Sequence, residues 1–422
     1  MPKSKVRKKH KHKPKVTRST EIQTKIFTIP SKLKADHMGI YTEYLNQQLD
    51  HVKLEQARKL QLRRISQLRN NRDVLVIAAD LNKGHAPISI TYVDLLSVND
   101  QLQSLSGTAI DVILETPGGS GEIAEDIVKQ LRKKYHKVGI IVPGYAKSAG
   151  TIIAMAGDEI LMEPASALGP IDAQLFWQGK VFSADALIAG MDKIKEEVES
   201  TKALNKAYIP ILQGISPGEL QSAQNALDFA KFLVRDWLVQ YKFKDWAVHR
   251  STGLPVSEEE RRTRAEDIAK KLCDHGRWLT HGRSIKIDDL REMRLEITDY
   301  SESPELADAI RRYYTLLQMT FDSNVYKIFE TSTSQILKIL TPVVGNPEPD
   351  ISKEKSLQLE LPCPKCQNKL RVQADFDENQ PKLPNFVPFP TNNKLSCSNC
   401  KSEADLLAIR RDLESKVKKP II

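Results

Sequence analysis

Four short aliphatic runs, DVLVIAAD (73–80), AIDVILET (109–116), KVGIIVPG (137–144) and DEILMEP (158–164), recur along the chain with helix-length segments between them. Runs that are apolar at nearly every position predict strands buried on both faces, and the helical spacers make the pattern α/β. Between the second and third runs, PGGSGEIAEDIVKQLRKK sets Ile123, Ile127 and Leu131 on one helix face, so a glycine turn opens an amphipathic helix. Between the third and fourth, SAGTIIAMAG is apolar nearly all round, which predicts a helix buried centrally.

Flanking segments read differently. TEYLNQQLDHVKLEQARKLQLRRISQLRNNRD (42–73) has apolar residues at helical spacing amid many charges, which predicts a long exposed helix available to a partner. Residues 180–340 are mostly helical in texture, and Ser216 followed by Pro217 and Glu219 is a capped helix start. TPVVGNPEPDISKEKS (341–356), rich in proline and charge, reads as a linker. The expected division is a basic disordered tail over 1–40, an N-terminal helix over 41–72, a core over 73–180, a helical extension completing it over 181–340, the linker over 341–356, a cysteine-bearing module over 357–412 and a tail over 413–422.

Composition narrows the class. With 40% apolar and 28% charged residues among 422, the chain reads as a soluble globular protein. No apolar run approaches the roughly 20 residues that span a bilayer, and no apolar stretch follows the basic N-terminus as a signal peptide requires. The expected compartment is therefore the cytoplasm. The net charge of +9 is a property of the first 20 residues, whose nine Lys and Arg meet no acid and account for the whole excess. Such an arm suits RNA, DNA or an anionic membrane surface by counterion release.

Four of the five cysteines form two C-x2-C pairs, CPKC (363–366) and CSNC (397–400), while Cys273 stands apart. Paired knuckles of this kind, Cys363, Cys366, Cys397 and Cys400, suit tetrahedral structural Zn²⁺ in a zinc ribbon. The strand-like KLRVQADF (369–376) and a proline-rich excursion, QPKLPNFVPFP (380–390), lie between them.

The remaining chemistry sits in ETPGGSGE (115–122) and AKSAGT (146–151). Two glycines at a strand-to-helix turn leave backbone N–H groups unshielded, and a serine opening the next helix puts the Ala149 N–H and the helix dipole at the same spot. Donors so placed can hold an oxyanion. Taken in order, TPGG, SAGT and ALGPIDAQ (167–174) resemble the serine dehydrogenase proteinase family, relatives of the Clp protease proteolytic subunit and of signal peptide peptidase A. The resemblance spans roughly residues 70–180, and extends more weakly to HGRWLTHGRSI (275–285).

That resemblance implies a Clp/crotonase-like spiral of ββα units, serine peptidase activity on peptide or protein substrates, and assembly into a homo-oligomer. It implies Ser148 as nucleophile, with Gly119 and Ala149 as oxyanion donors and Gly118 as the second turn glycine. The general base departs from the Clp pattern, because Asp172 stands where Clp subunits carry a histidine. Two alternatives are open. The signal peptide peptidase branch uses a downstream lysine, here Lys193, Lys195, Lys202 or Lys206, of which Lys202 and Lys206 lie in the less polar ALNKAYIPIL. The other is His281 oriented by Asp172, a Ser-His-Asp set in an unusual chain order. Lys147 diverges from its neighbour Ser148 and reads as a substrate or solvent contact. Two other classes stay in view: a non-hydrolytic adaptor binding nucleic acid through arm and ribbon, and an acyl-CoA enzyme of the crotonase type.

Overall fold

The computed structural model describes residues 38–177, 180–249, 252–341, 351 and 354–422. The expected basic tail and most of the expected linker lie outside the described residues. Two compact units meet in sequence between Leu340 and Thr341.

The strands of the first unit are β1 (Asp73–Ala79), β2 (Ala109–Glu115), β3 (Lys137–Ile141), β4 (Tyr145–Ala146), β5 (Glu159–Met162), β6 (Ala167–Leu168), β7 (Gln174–Trp177), β8 (Lys180–Ser183), β9 (Thr298–Asp299), β10 (Val325–Glu330) and β11 (Gln335–Ile339). Among the described residues, a seven-stranded sheet runs β11-β10-β1-β2-β3-β5-β9. From β1 to β9 the pairing is parallel, whereas β10 lies antiparallel to both β1 and β11. Alternation along each strand feeds two cores. Leu75, Ile77, Val112 and Leu114 face one side, and Val74, Val76 and Ile113 face the other. This is why the runs carry no polar alternate.

Helices α1 (Ile40–Asn46) and α2 (His51–Leu68) replace the long exposed helix expected over 42–73. Asp50 caps α2 by accepting from the Lys53 N–H at 2.8 Å. Leu62 and Ile65 are fully buried. The charges that suggested a solvated face are buried in pairs: Arg58 Nε meets Glu330 Oε1 at 3.0 Å, and the Tyr313 hydroxyl donates to the same oxygen at 2.6 Å. At its far end, Arg69 and Arg72 clasp Asp111 of β2 at 2.7 and 3.0 Å.

Helices α3 (Val93–Gln103), α4 (Gly121–Lys134) and α5 (Ala149–Met155) cross between the parallel strands. Every residue of α5 is buried, in keeping with its apolar sequence. Then come α6 (Ala184–Thr201), α7 (Ile209–Gln213), α8 (Pro217–Trp237), α9 (Glu258–Cys273), α10 (His275–Trp278), α11 (Ile287–Glu292) and α12 (Pro304–Phe321). Ser216 and Glu219 form a reciprocal capping box at the start of α8. The texture expected over 181–340 omitted β10 and β11, where the chain returns to one edge of the sheet beside β1. Lys327 and Glu330 break the apolar run of β10, yet both are buried, Lys327 against Asp94 at 2.7 Å.

In the second unit, β12 (Ser356–Pro362), β13 (Lys369–Asp375) and β14 (Val387–Pro388) form one small sheet, and β15 (Lys394–Ser396) pairs with β16 (Glu403–Asp405). The proline-rich excursion thus returns to add β14. Helix α13 (Leu407–Val417) follows, and Leu413, Val417 and Ile421 pack with Val372, Phe376 and Phe389. Residues 413–422 are therefore part of this body and not the expected tail, because their apolar side chains complete its core. The fold is mixed α/β, with a helical region and a C-terminal four-cysteine cluster.

Candidate functional site

A second, smaller layer stands at the carboxyl ends of the parallel strands. Thr116 pairs with Ala146, β4 pairs with β6, and Leu168 pairs antiparallel with Ile285. These short pairings draw four distant segments, around residues 117, 147, 169 and 283, into one place.

The first segment is the glycine turn after β2. Ser120 caps α4 by accepting from the Ile123 N–H at 3.1 Å, which ends the turn. Gly119, at φ +146°, lies so close to Ile90 that an added Cβ would stand 2.3 Å from its carbonyl oxygen. Gly118, at φ +103°, abuts the second segment: a Cβ there would stand 2.6 Å from Ser148 Cβ and 3.2 Å from the Ala149 nitrogen. Only glycines permit this contact. Among the described residues, no acceptor meets the N–H of either Gly119 or Ala149.

Ser148 precedes α5 but does not cap it. Its side chain accepts no hydrogen bond from the helix, and its backbone sits at φ 51°, ψ −115°, far from the extended conformation of a cap. For a residue with a Cβ this is a strained conformation, costing on the order of 1–3 kcal/mol, and it persists only where surrounding structure over-determines it. Here the flanking bonds do so: the Thr116 N–H donates to the Tyr145 carbonyl at 2.8 Å and the Lys147 N–H to the Thr116 carbonyl at 3.0 Å. Beneath them, buried Glu115 accepts from the Tyr145 N–H at 2.8 Å and from the Tyr314 hydroxyl at 3.2 Å. Burial pushes this carboxyl up to about 8 against those bonds and that of the Gly144 N–H. Thr151 completes the support: its hydroxyl donates toward the carbonyls of Ala146 and Gly169 at 2.9 and 2.8 Å, and accepts from the Gly169 N–H at 3.1 Å.

Asp172 is buried three residues beyond Gly169. One oxygen accepts from Ser183 Oγ at 2.5 Å; the other lies 2.9 Å from His275 Nδ1 and 3.8 Å from His281 Nδ1. Burial works to raise its pKa, but the neighbouring His281, the Ser183 hydroxyl and His275 outweigh burial and hold the carboxyl below its ordinary value. The isolated Leu168–Ile285 bridge brings the segments carrying Asp172 and His281 side by side, after which the Ile171 N–H donates to the Leu272 carbonyl at 2.8 Å. Thus Asp172 and His281 come together. His275 is a second imidazole that sequence reasoning passed over, although the doubled HGR of HGRWLTHGRS was its signal.

The lysine alternatives do not converge. Lys202 ends α6 in a left-handed conformation and is exposed, and Lys206 opens an exposed single turn. The apolar residues that recommended their neighbourhood, Leu204 and Ile209, are themselves exposed. Nothing there desolvates an ammonium, as a lysine base requires.

Residues 38–209 match a family model described as ClpP-like SDH-type serine proteinase. That segment is similar to this proteinase family. Two uncharacterised proteins of Methanocaldococcus jannaschii are similar to the chain: one is 27% identical over 64% of this chain and 81% of its own length, the other 26% identical over 50% of this chain and 56% of its own. Two solved structures of a membrane-bound stomatin-specific protease, one holding a substrate peptide, are 16% and 19% identical. They cover 52% and 50% of this chain and 79% and 70% of their own, each with a TM-score of 0.29.

In the second unit, the thiol sulfurs of Cys363, Cys366, Cys397 and Cys400 lie within 4.8 Å of one another. Cys363 and Cys400 are 3.6 Å apart and Cys366 and Cys397 3.7 Å, too far for disulfides. Tetrahedral Zn–S bonds of about 2.3 Å set sulfurs about 3.8 Å apart, so the spacing fits that metal. Both knuckles repeat one backbone device. The Cys363 N–H donates to the Asn368 carbonyl and the Cys397 N–H to the Ser402 carbonyl, each at 2.9 Å, with Gln367 and Lys401 left-handed at φ 59° and 61°. The Ser402 hydroxyl, then the Cys366 and Lys365 N–H groups, pull the Cys363 thiol down to about 6, toward the thiolate a metal binds.

Proposed function

We propose that the protein hydrolyses peptide bonds with Ser148 as nucleophile. One observation carries this reading: the strained, uncapped backbone of Ser148 stands beside two N–H groups, of Gly119 and Ala149, that meet no acceptor. A serine held at φ 51° against a glycine turn serves no purpose in capping a helix, whereas it presents the hydroxyl outward. Orphan donors flanking it can hold the oxyanion of a tetrahedral intermediate. Helix α5 is only two turns long, so the N–H groups matter more here than a helix dipole.

His281 takes the serine proton in this reading and returns it to the leaving amine, while Asp172 orients the ring and stabilises its charged form. The support is the Asp172–His281 proximity and the loop that carries His281, whose next residue, Gly282, accepts from Lys147 beside the serine. The 3.8 Å separation is of the kind that closes when substrate arrives. His275 and the Gln174 amide hold the same carboxylate oxygen that faces His281, and Ser183 holds the other. The second unit binds one structural Zn²⁺ through its four cysteines.

The test is labelling by a fluorophosphonate probe. Wild type should label, Ser148→Ala should not, and His281→Ala should label at least about 100-fold more slowly. Equal labelling of wild type and Ser148→Ala would sink the reading, and a slow His275→Ala beside a normal His281→Ala would transfer the base to His275. Metal analysis of the purified chain should return one zinc per chain, lost in Cys363→Ser with Cys397→Ser.

A further inference from the structure

Several buried or half-buried lysines of the first unit meet an acid. Lys59 has Glu330 at 3.1 Å, Lys83 has Asp80 at 2.7 Å and Lys327 has Asp94 at 2.7 Å. Two lysines beside the candidate nucleophile differ. Lys147 lies with its stem against Gly169, where a Cβ would stand 2.9 Å from its own, and its ammonium donates to the Gly282 carbonyl at 2.5 Å. Lys286 donates to the carbonyls of Ala165 and Ser166 at 2.7 and 3.0 Å. Among the described residues, neither meets a carboxylate. Burial, and then the neighbouring Lys286 charge, lower the Lys147 pKa, so the two cations feel one another.

The segment that brings Lys286 here adds more positive charge. From His275 to Lys286 it carries Arg277, Arg283 and Lys286 and no acid. Arg283 is exposed. Two neighbouring ammonium groups, held by carbonyls and, for Lys147, by the Tyr145 ring 5.3 Å away, leave donors and charge unspent at a cost in mutual repulsion.

We infer that Lys147 and Lys286 bind a carboxylate of the peptide substrate, close in sequence to the bond that Ser148 attacks. This rests on the serine-peptidase reading for its substrate. It goes beyond that reading in assigning a preference: acidic peptides over neutral ones. The carboxylate is that of an Asp or Glu side chain or of a chain end, since both offer the same two oxygens to the same donors. A single partly exposed ion pair is worth up to about 1 kcal/mol, or about fivefold in rate.

Internally quenched peptides decide it. In one set Glu replaces Gln at each of three positions on either side of the cleaved bond; in another the C-terminus is free or amidated. In low salt, wild type should favour Glu over Gln, or free acid over amide, by about fivefold in kcat/KM. That ratio should fall toward one in Lys147→Met and in Lys286→Met, return in Lys147→Arg, and shrink as salt is added. The set in which the ratio appears assigns the carboxylate to side chain or chain end. A wild-type ratio of one in both sets, or a ratio untouched by both methionine variants, overturns the inference and leaves Ser148 labelling intact. Should wild type cleave no peptide, the serine-peptidase reading fails separately. Fluorescence anisotropy of the Glu and Gln peptides on Ser148→Ala protein then decides the carboxylate site, with equal binding of the two counting against it.

Discussion

Replacing Ser148 with glycine, rather than with alanine alone, separates strain from chemistry. At φ 51°, ψ −115° a residue with a Cβ stores about 1–3 kcal/mol, and Ser148 holds that conformation with no capping bond in return. Alanine keeps the Cβ and hence the strain. Glycine relieves it but gains about 0.5–1 kcal/mol of unfolded-state entropy. The difference predicts that Ser148→Gly is more stable than Ser148→Ala by roughly 1 kcal/mol, with 2.5 as the ceiling. Urea unfolding followed by tryptophan fluorescence suits the measurement, because Trp177, Trp237, Trp246 and Trp278, all four tryptophans, belong to the first unit. Both variants should be inert to the fluorophosphonate probe. A glycine variant less stable than the alanine variant by 0.5 kcal/mol or more would refute the argument that the serine is strained.

Other substitutions test the frame around it. Gly119→Ala should impair folding as well as activity, since its Cβ would stand 2.3 Å from the Ile90 carbonyl oxygen and 2.4 Å from its nitrogen; thermal unfolding checks this. Arg58→Ala leaves Glu330 buried with one cation fewer and should cost about 3–5 kcal/mol in the same urea assay. Glu115 holds its proton to about pH 8 when folded, against an ordinary value of 4.5, so the stability it contributes is complete below pH 4.5 and is lost as pH rises to about 8. Glu115→Gln should flatten the stability profile across that window, and a wild-type profile parallel to that of the variant would contradict it. Asp172 shows the opposite sign: with its folded pKa depressed, its contribution is present above pH 3.8 and fades as pH falls through the folded value, which Asp172→Asn should abolish.

Which parts of this were legible in the sequence follows from where each residue finds its partner. Strands β1, β2, β3 and β5 announce themselves because burial on both faces makes them largely aliphatic, with Asp111 and Glu115 of β2 as buried exceptions. Strand β10 does not, because VYKIFE hides two buried charges whose partners, Arg58 and Asp94, lie more than 230 residues upstream. The same long-range pairing disguised α2 as a solvated helix. The glycines, the serine and, in the second unit, the four cysteines could be singled out from spacing, since each stands in a local motif. The histidines were not equally readable. Their choice depends on the Leu168–Ile285 pairing, which joins segments with no local pattern in common. Whether Ser148 caps α5 was likewise beyond composition, because only its dihedral angles tell a cap from a strained turn.

That long reach of the chain has a consequence during synthesis. A ribosome exposes Ser148 and both glycines long before His281, and the sheet edge beside β1 stays open until β10 emerges at Val325–Glu330. A half-made chain therefore carries the Ser148 turn with neither His281 nor a closed sheet beneath it. On the proposed serine-peptidase reading, reactivity belongs to the nearly finished polypeptide, and the order of residues itself would keep truncated products from cutting their neighbours.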